Sequence, residues 1–88
     1  MQLSFKKSFL KEYLIVGKIY QPKVDEVLEK LRNAKSMNEI ENTKKLNDNY
    51  WRIRIGRYRM GIEYHHPDVL VITIVKRDER TYKDFPPK

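Results

Sequence analysis

The chain has no cysteine, so disulfides and thiolate metal sites are excluded and the fold must rest on packing and hydrogen bonding alone. Glycine and proline are scarce, three and four residues, and they do not gather into a linker or low-complexity tract. Long apolar runs are absent too. The longest, Val69 to Val75, is broken by Thr73 and falls far below the ~20 residues that span a bilayer. Met1 to Phe9 holds lysines but no uninterrupted apolar run behind them, which is not how a signal peptide reads. The expectation is a cytoplasmic protein with no membrane partner. Acidic residues are the last shortage: twelve Asp and Glu stand against nineteen Lys and Arg, a net charge of +7. Such an imbalance favours an anionic partner, whether nucleic acid, an acidic protein or a charged surface.

What is present fits one domain, residues 1–88, because a chain of this length buries only ~60–65% of its unfolded surface and supports a single modest core. Met1 to Phe5 suits a short strand. From Lys6 to Val16, Phe9, Leu10, Tyr13 and Leu14 recur at helical spacing and predict one apolar stripe, ended by Gly17. A second helix is expected from Pro22, with Asp25 and Glu26 in its first turn. Val24, Val27, Leu28 and Leu31 form its core-facing stripe, and Glu26 and Lys30 an i, i+4 pair. Ser36 and Glu39 have capping-box spacing and predict one further turn, and the polar stretch Glu41 to Asn49 reads as loop.

Thereafter the period becomes two. Trp51, Ile53 and Ile55 alternate with Tyr50, Arg52 and Arg54, and Gly56-Arg57 has the look of a tight connection. Tyr58, Met60, Ile62 and Tyr64 alternate with Arg59, Gly61 and Glu63. His65 to Asp68 is a second turn. Val69 to Val75 reads as a strand covered on both faces, and Thr81 to Phe85 as a short edge strand. The expected fold is α+β: a helical hairpin packed on one face of a small, mainly antiparallel sheet.

The other face is the candidate site. Arg52 and Arg54, two apart on a strand, project the same way. A tight turn at Gly56 adds Arg59, and Arg77, Arg80 and Tyr82 follow the last long strand. Guanidinium groups bind phosphate through paired hydrogen bonds and stay charged, and tyrosine stacks on unpaired bases. Arg57, Lys76, Lys44 and Lys45 extend the RNA-binding set. A solvated polar face, or one paired with an acidic protein, is the alternative reading of the same residues. Glu63 suits an ion-pair partner better than a general base. His65 and His66, adjacent in a turn, have no third ligand, so no metal and no cofactor are expected. No Gly-rich phosphate loop, nucleophile elbow or HExxH motif is present.

Lys45-Leu46, then Tyr50-Trp51-Arg52-Ile53-Arg54-Ile55-Gly56-Arg57-Tyr58-Arg59, then the apolar strand running into Lys76-Arg77-Asp78-Glu79-Arg80-Thr81-Tyr82, resemble the signature of the RelE/ParE toxin superfamily across essentially the whole chain. The resemblance implies a type II toxin, held by a cognate antitoxin and meeting DNA only through it. In the RelE branch the target is messenger RNA on the ribosome; in the ParE branch it is DNA gyrase, without catalysis. An inactive toxin-like RNA-binding module is a further alternative. The RelE branch implies a metal-independent endoribonuclease. A ribose 2′-OH attacks the adjacent phosphate, leaving a 2′,3′-cyclic phosphate and a 5′-OH. By position Arg52 and Arg54 match a pair that is lysine in the best-known members, Arg59 the hairpin arginine, Arg77 or Arg80 the arginine after the strand, and Tyr82 the C-terminal tyrosine. The resemblance assigns charge stabilisation to Arg59 and Arg77 and base stacking to Tyr82. Arginine keeps its proton, so Arg52 and Arg54 depart from the family where a base is needed.

Overall fold

Helical periodicity before residue 40 and strand periodicity after residue 50 sort the chain into a helical layer and a sheet. The computed structural model describes residues 1–77 and Phe85. Its elements are β1 (Gln2–Phe5), α1 (Lys7–Leu14), α2 (Gln21–Asn33), a single 3₁₀ turn (Met37–Glu39), β2 (Thr43–Asn47), β3 (Tyr50–Ile55), β4 (Tyr58–His65) and β5 (Asp68–Lys76). Among the described residues the strands form one sheet in the order β1-β5-β4-β3-β2. β1 runs parallel to β5, and every other neighbouring pair is antiparallel. The α+β expectation holds, with β1 making the sheet mixed. None of the described helices is long and apolar enough to cross a membrane.

One row of each inner strand meets the helices. Ile53, Met60, Ile62, Val69, Val71 and Ile74 are buried against Phe9 of α1 and Val24 and Leu31 of α2, with Met37 closing the layer. Full burial of side chains this size contributes roughly 1.5–3 kcal/mol each before entropy is counted. The Met1 amine donates to the carbonyl oxygens of Leu31, Arg32 and Ala34 at 3.1, 2.6 and 3.1 Å, tying β1 to the end of α2.

The edge of β5 is covered in two ways. β1 pairs only with Asp68 to Val71. Beyond that, α1 takes over with side chains one helical turn apart. The Ser8 hydroxyl donates to the Ile72 carbonyl, and the Glu12 carboxylate accepts the Thr73 hydroxyl and the Ile74 N–H. Backbone groups that a further strand would have paired are thereby satisfied.

Four local expectations change. Glu41 to Asn49 is not all loop, because it contains β2, an edge strand in which Thr43 and Leu46 are only half-buried and a register shift lies between Lys45 and Asn47. Those features erase the alternation that reveals a strand. Leu10 and Leu14 are not core but exposed, since α1 packs through Phe9 and Tyr13 and through its Ser8–Glu12 side. Asp25 and Glu26 lie beyond the first turn of α2, which starts earlier, at Gln21; Asp25 instead accepts the Tyr13 hydroxyl at 2.7 Å, and Glu26 pairs with Lys30 at 3.2 Å as expected. Ser36 makes no side-chain cap, while Glu39 accepts the Lys35 N–H at 3.0 Å. The edge strand expected at Thr81 to Phe85 lies outside the described residues except for Phe85.

Candidate nucleic-acid interface

The β3–β4 hairpin is tight, with Ile55 directly opposite Tyr58. Gly56 turns it at φ +57°, a left-handed conformation that glycine adopts without the penalty of a Cβ. The space is also taken, because a Cβ there would lie 2.5 Å from the Tyr20 ring. Tyr20 meets Tyr58 edge-on, with centroids 5.2 Å apart, and the Tyr58 hydroxyl accepts the Gly17 N–H at 3.2 Å. The link between α1 and α2 thus braces the hairpin that carries Arg57 and Arg59.

The end of β5 completes the arrangement. Lys76 is the partner of Tyr58, and the Arg77 N–H donates to the Arg57 carbonyl at 2.8 Å. These contacts form an open pocket of ≈ 460 Å³ lined, among the described residues, by Arg57, Arg59, Lys76 and Arg77. No carboxylate belongs to that lining set. Four basic side chains around one opening favour an anionic ligand. An anion with several oxygens, such as phosphate, takes paired hydrogen bonds from more than one guanidinium.

Away from the pocket the basic face continues in cross-strand rows. Arg54 lies opposite Arg59, so these two share a face. Lys44, Arg52 and Gly61 form the next row. Lys45 is opposite Trp51 and therefore belongs to the other face of the sheet. The sequence-derived set is thus divided. Arg57, Arg59, Lys76 and Arg77 converge, Arg54 adjoins them, Arg52 and Lys44 lie one row farther on, and Lys45 is turned away. Arg80 and Tyr82 lie outside the described residues.

Phe85 occupies the middle of this face. It is buried, its ring lies over Gly61 so that a Cβ there would come within 2.7–2.8 Å, and it meets Tyr50 edge-on at 5.6 Å. Arg52, beside Gly61, is half-buried, and its Nε makes no hydrogen bond among the described residues. Sequence reasoning did not find Phe85 or Tyr20. The available signal was a glycine in mid-strand, which marks a close approach by another group.

The far end of β4 has the opposite character. Glu63 lies opposite Tyr50 and pairs with His65 Nε2 at 2.6 Å. Tyr64 and His66 Nδ1 are 2.9 Å apart. Partial burial, followed by the negative charge of Glu63 and a hydrogen bond to it, pushes the Tyr50 phenol above its ordinary value, with Asp48 adding to the effect.

Comparison with known proteins gives a consistent result. No family model matches the chain. It is 32% identical over 89 residues to the toxin RelE3 of Methanocaldococcus jannaschii, an alignment covering 98% of this chain and 100% of that one. Its fold is similar to the RelB–RelE antitoxin–toxin complex from Methanococcus jannaschii, with a TM-score of 0.78 and 30% identity over 93% of this chain and 98% of the matched chain. The archaeal RelE–RelB complex from Pyrococcus horikoshii OT3 has a TM-score of 0.73 over 89% of this chain and 96% of the matched one; at 17% identity it speaks to fold alone.

Proposed function

The chain belongs to the RelE toxin family, and from that membership together with its four-cation pocket we propose that it is an endoribonuclease that cuts messenger RNA on the ribosome and so stops translation. The pocket of Arg57, Arg59, Lys76 and Arg77 is the observation that carries this reading. A phosphodiester enters with one negative charge, and attack by the neighbouring 2′-OH builds a phosphorane with more. Fixed cations stabilise the state in which the charge is greatest, which is the condition for lowering the barrier. Arg59 and Arg77 take the charge-stabilising role, with Arg57 and Lys76 beside them. Arg54 and Arg52 guide the chain of phosphates across the face, and Lys44 continues the track. Tyr82 stacks on an exposed base.

The arginines hold their protons at any physiological pH. They orient and neutralise; they do not accept the 2′-OH proton. We assign the acceptance of that proton, and the return of one to the departing 5′ oxygen, to the surroundings in which the ribosome presents the message, so the proposed reaction calls for the ribosome rather than free RNA. We assign the reaction no metal and no cofactor, since nucleophile and leaving group both belong to the RNA and the basic side chains of the pocket supply the counter-charge.

The relative solved as a RelB–RelE antitoxin–toxin complex at 30% identity supports a cognate antitoxin as the protein partner; we further take DNA to be reached only through that antitoxin and the cytoplasm to be the place of action. The test is primer extension on translated messages after a short pulse of expression, beside the Arg59→Ala/Arg77→Ala chain. The expected outcome is cuts inside translated codons that vanish in the double variant while circular dichroism shows it folded. Growth arrest without cuts would replace this reading with gyrase inhibition, and neither arrest nor cuts would leave an inactive RNA-binding module.

A further inference from the structure

Phe85 is buried, yet it stands apart from the main core between sheet and helices. Its ring rests on the opposite face of the sheet, over Gly61, and meets Tyr50 edge-on at 5.6 Å. The row beneath it is basic. Lys44, Arg52 and Gly61 are successive cross-strand partners and so share that face. Arg54 and Arg59 form the row on one side, and Tyr50 and Glu63 the row on the other.

Two features of the covered row have no use in the fold. The Arg52 Nε is buried and has no hydrogen-bond partner among the described residues. A donor cut off from water and left unbonded is costly, because nothing offsets its lost hydration. No carboxylate among the described residues pairs with Arg52, and Glu63, one row away, is held by His65 at 2.6 Å. Gly61 is the second feature. Glycine inside a strand weakens it and marks a close approach by another group.

We propose that Phe85 covers a phosphate seat, and that a phosphate of single-stranded nucleic acid displaces the ring to occupy it. With the ring gone, Arg52 presents Nε together with a terminal nitrogen, the fork that takes two phosphate oxygens at once. Lys44 adds charge from the same row, and Gly61 leaves room for the oxygens. The side chains of the seat are donors, so it suits an anion rather than a base edge, which brings donors of its own. While the ring is seated the competent form is the minor one, and the apparent affinity falls accordingly. That the phosphate belongs to a message rests on the toxin reading above; the seat itself does not.

The test titrates the full chain with a fluorescein-labelled run of about eight thymidine nucleotides at one fixed ionic strength, because such binding is strongly salt-dependent. This probe lacks the 2′-OH and is not cut. Anisotropy is read for the wild type, Phe85→Ala, Arg52→Ala and the double variant. Phe85→Ala binds at least about threefold more tightly than the wild type, and the gain vanishes when both chains carry Arg52→Ala. Weaker binding by Phe85→Ala would make the ring a platform for a base, and a gain that survives Arg52→Ala would separate the ring from the guanidinium; either overturns the proposal. Phe85→Leu, with a gain of the same sign, serves if Phe85→Ala fails to fold. The wild type gives an independent reading. It holds three phenylalanines, and with fluorinated phenylalanine the Phe85 resonance, assigned through Phe85→Leu, moves toward the position of the free amino acid as the probe saturates. Those of Phe5 and Phe9, stacked on each other, stay in place. An unmoved Phe85 resonance overturns the proposal. Cleavage of translated messages is scored separately. Cuts without an Arg52-dependent gain remove the seat and leave the enzyme reading. The gain without cuts keeps the seat and removes the enzyme reading.

Discussion

The two ends of β4 carry opposite electrostatics. At the Gly56 turn, Arg59 joins Arg57, Lys76 and Arg77 around an open pocket with no carboxylate among its described lining. At the other end, Glu63 pairs with His65 and faces the Tyr50 phenol, and Tyr64 meets His66. Phe85, seated on Gly61, separates them. One end of the strand therefore holds acidic, aromatic and imidazole side chains in contact with one another, and the other gathers four basic side chains around one opening. A concentration of one sign of charge at one end only is what a site for an anionic ligand requires.

The largest expected effect tests that contrast directly. Arg59→Ala/Arg77→Ala should lower cleavage of translated messages by at least about 100-fold, the scale seen when a charge-stabilising group is removed. Glu63→Gln and His65→Ala at the other end should leave it within about threefold, because surface ion pairs contribute little. Quantitative primer extension on the three chains decides the matter. An equal loss in Glu63→Gln would move the reactive end of the strand to the His65 turn.

Next in size is the brace behind the pocket. Gly56→Ala requires a Cβ at φ +57° and 2.5 Å from Tyr20. The backbone part costs roughly 1–2 kcal/mol, and forcing atoms into filled space typically adds about 1–3 kcal/mol. Denaturant unfolding of Gly56→Ala, Tyr20→Ala and the double variant separates the two parts. The double variant should be more stable than the sum of the single changes predicts, by the amount of the relieved clash. Simple additivity would mean that the ring exerts no pressure on the turn. Gly61→Ala sharpens the comparison, since Gly61 does not need a positive φ and the nearest obstacle among the described residues is the Phe85 ring. That variant should displace Phe85 and expose Arg52, without the backbone penalty of the turn.

These two glycines also show which parts of the molecule were legible in the sequence. β3 and β4 were legible because each alternates an apolar, core-facing row with a row of polar residues or glycine, and alternation is the trace such a strand leaves. β2 was not, because as an edge strand with a register shift it buries little on either side. Leu10 and Leu14 fit a core stripe by spacing alone. Periodicity gives the width of an apolar arc but not what covers it, and here the covering of β5 by Ser8 and Glu12 turned the helix so that the leucines faced outward. For the site, the alternation put Arg52, Arg54 and Arg59 on one face correctly, yet it could not rank them. Convergence on Arg57, Arg59, Lys76 and Arg77 depends on the tight turn and on the Arg77–Arg57 backbone hydrogen bond. The seat of Phe85 over Gly61 joins residues far apart in the chain, and no local pattern announces it.

The smallest expected effect lies at the compensated end. The Tyr50 phenol is raised from the ordinary value of 10.0 by partial burial first and by Glu63 next. A group whose folded-state pKa is raised stabilises the fold fully below its ordinary value, and that contribution disappears as pH rises through the folded value. Stability measured across the alkaline range should therefore decline above pH 10 more steeply in the wild type than in Tyr50→Phe. Glu63→Gln removes the neighbouring charge but leaves the burial, so its decline should fall between the two. Tyr50 is accessible enough that solvent screens the interaction, and the three curves should coincide near neutrality. If Glu63→Gln followed the wild-type curve throughout, burial alone would set the phenol's behaviour, and Glu63 would be held by His65 without acting on Tyr50. The self-satisfied end of β4 would then be a single pair with a bystander.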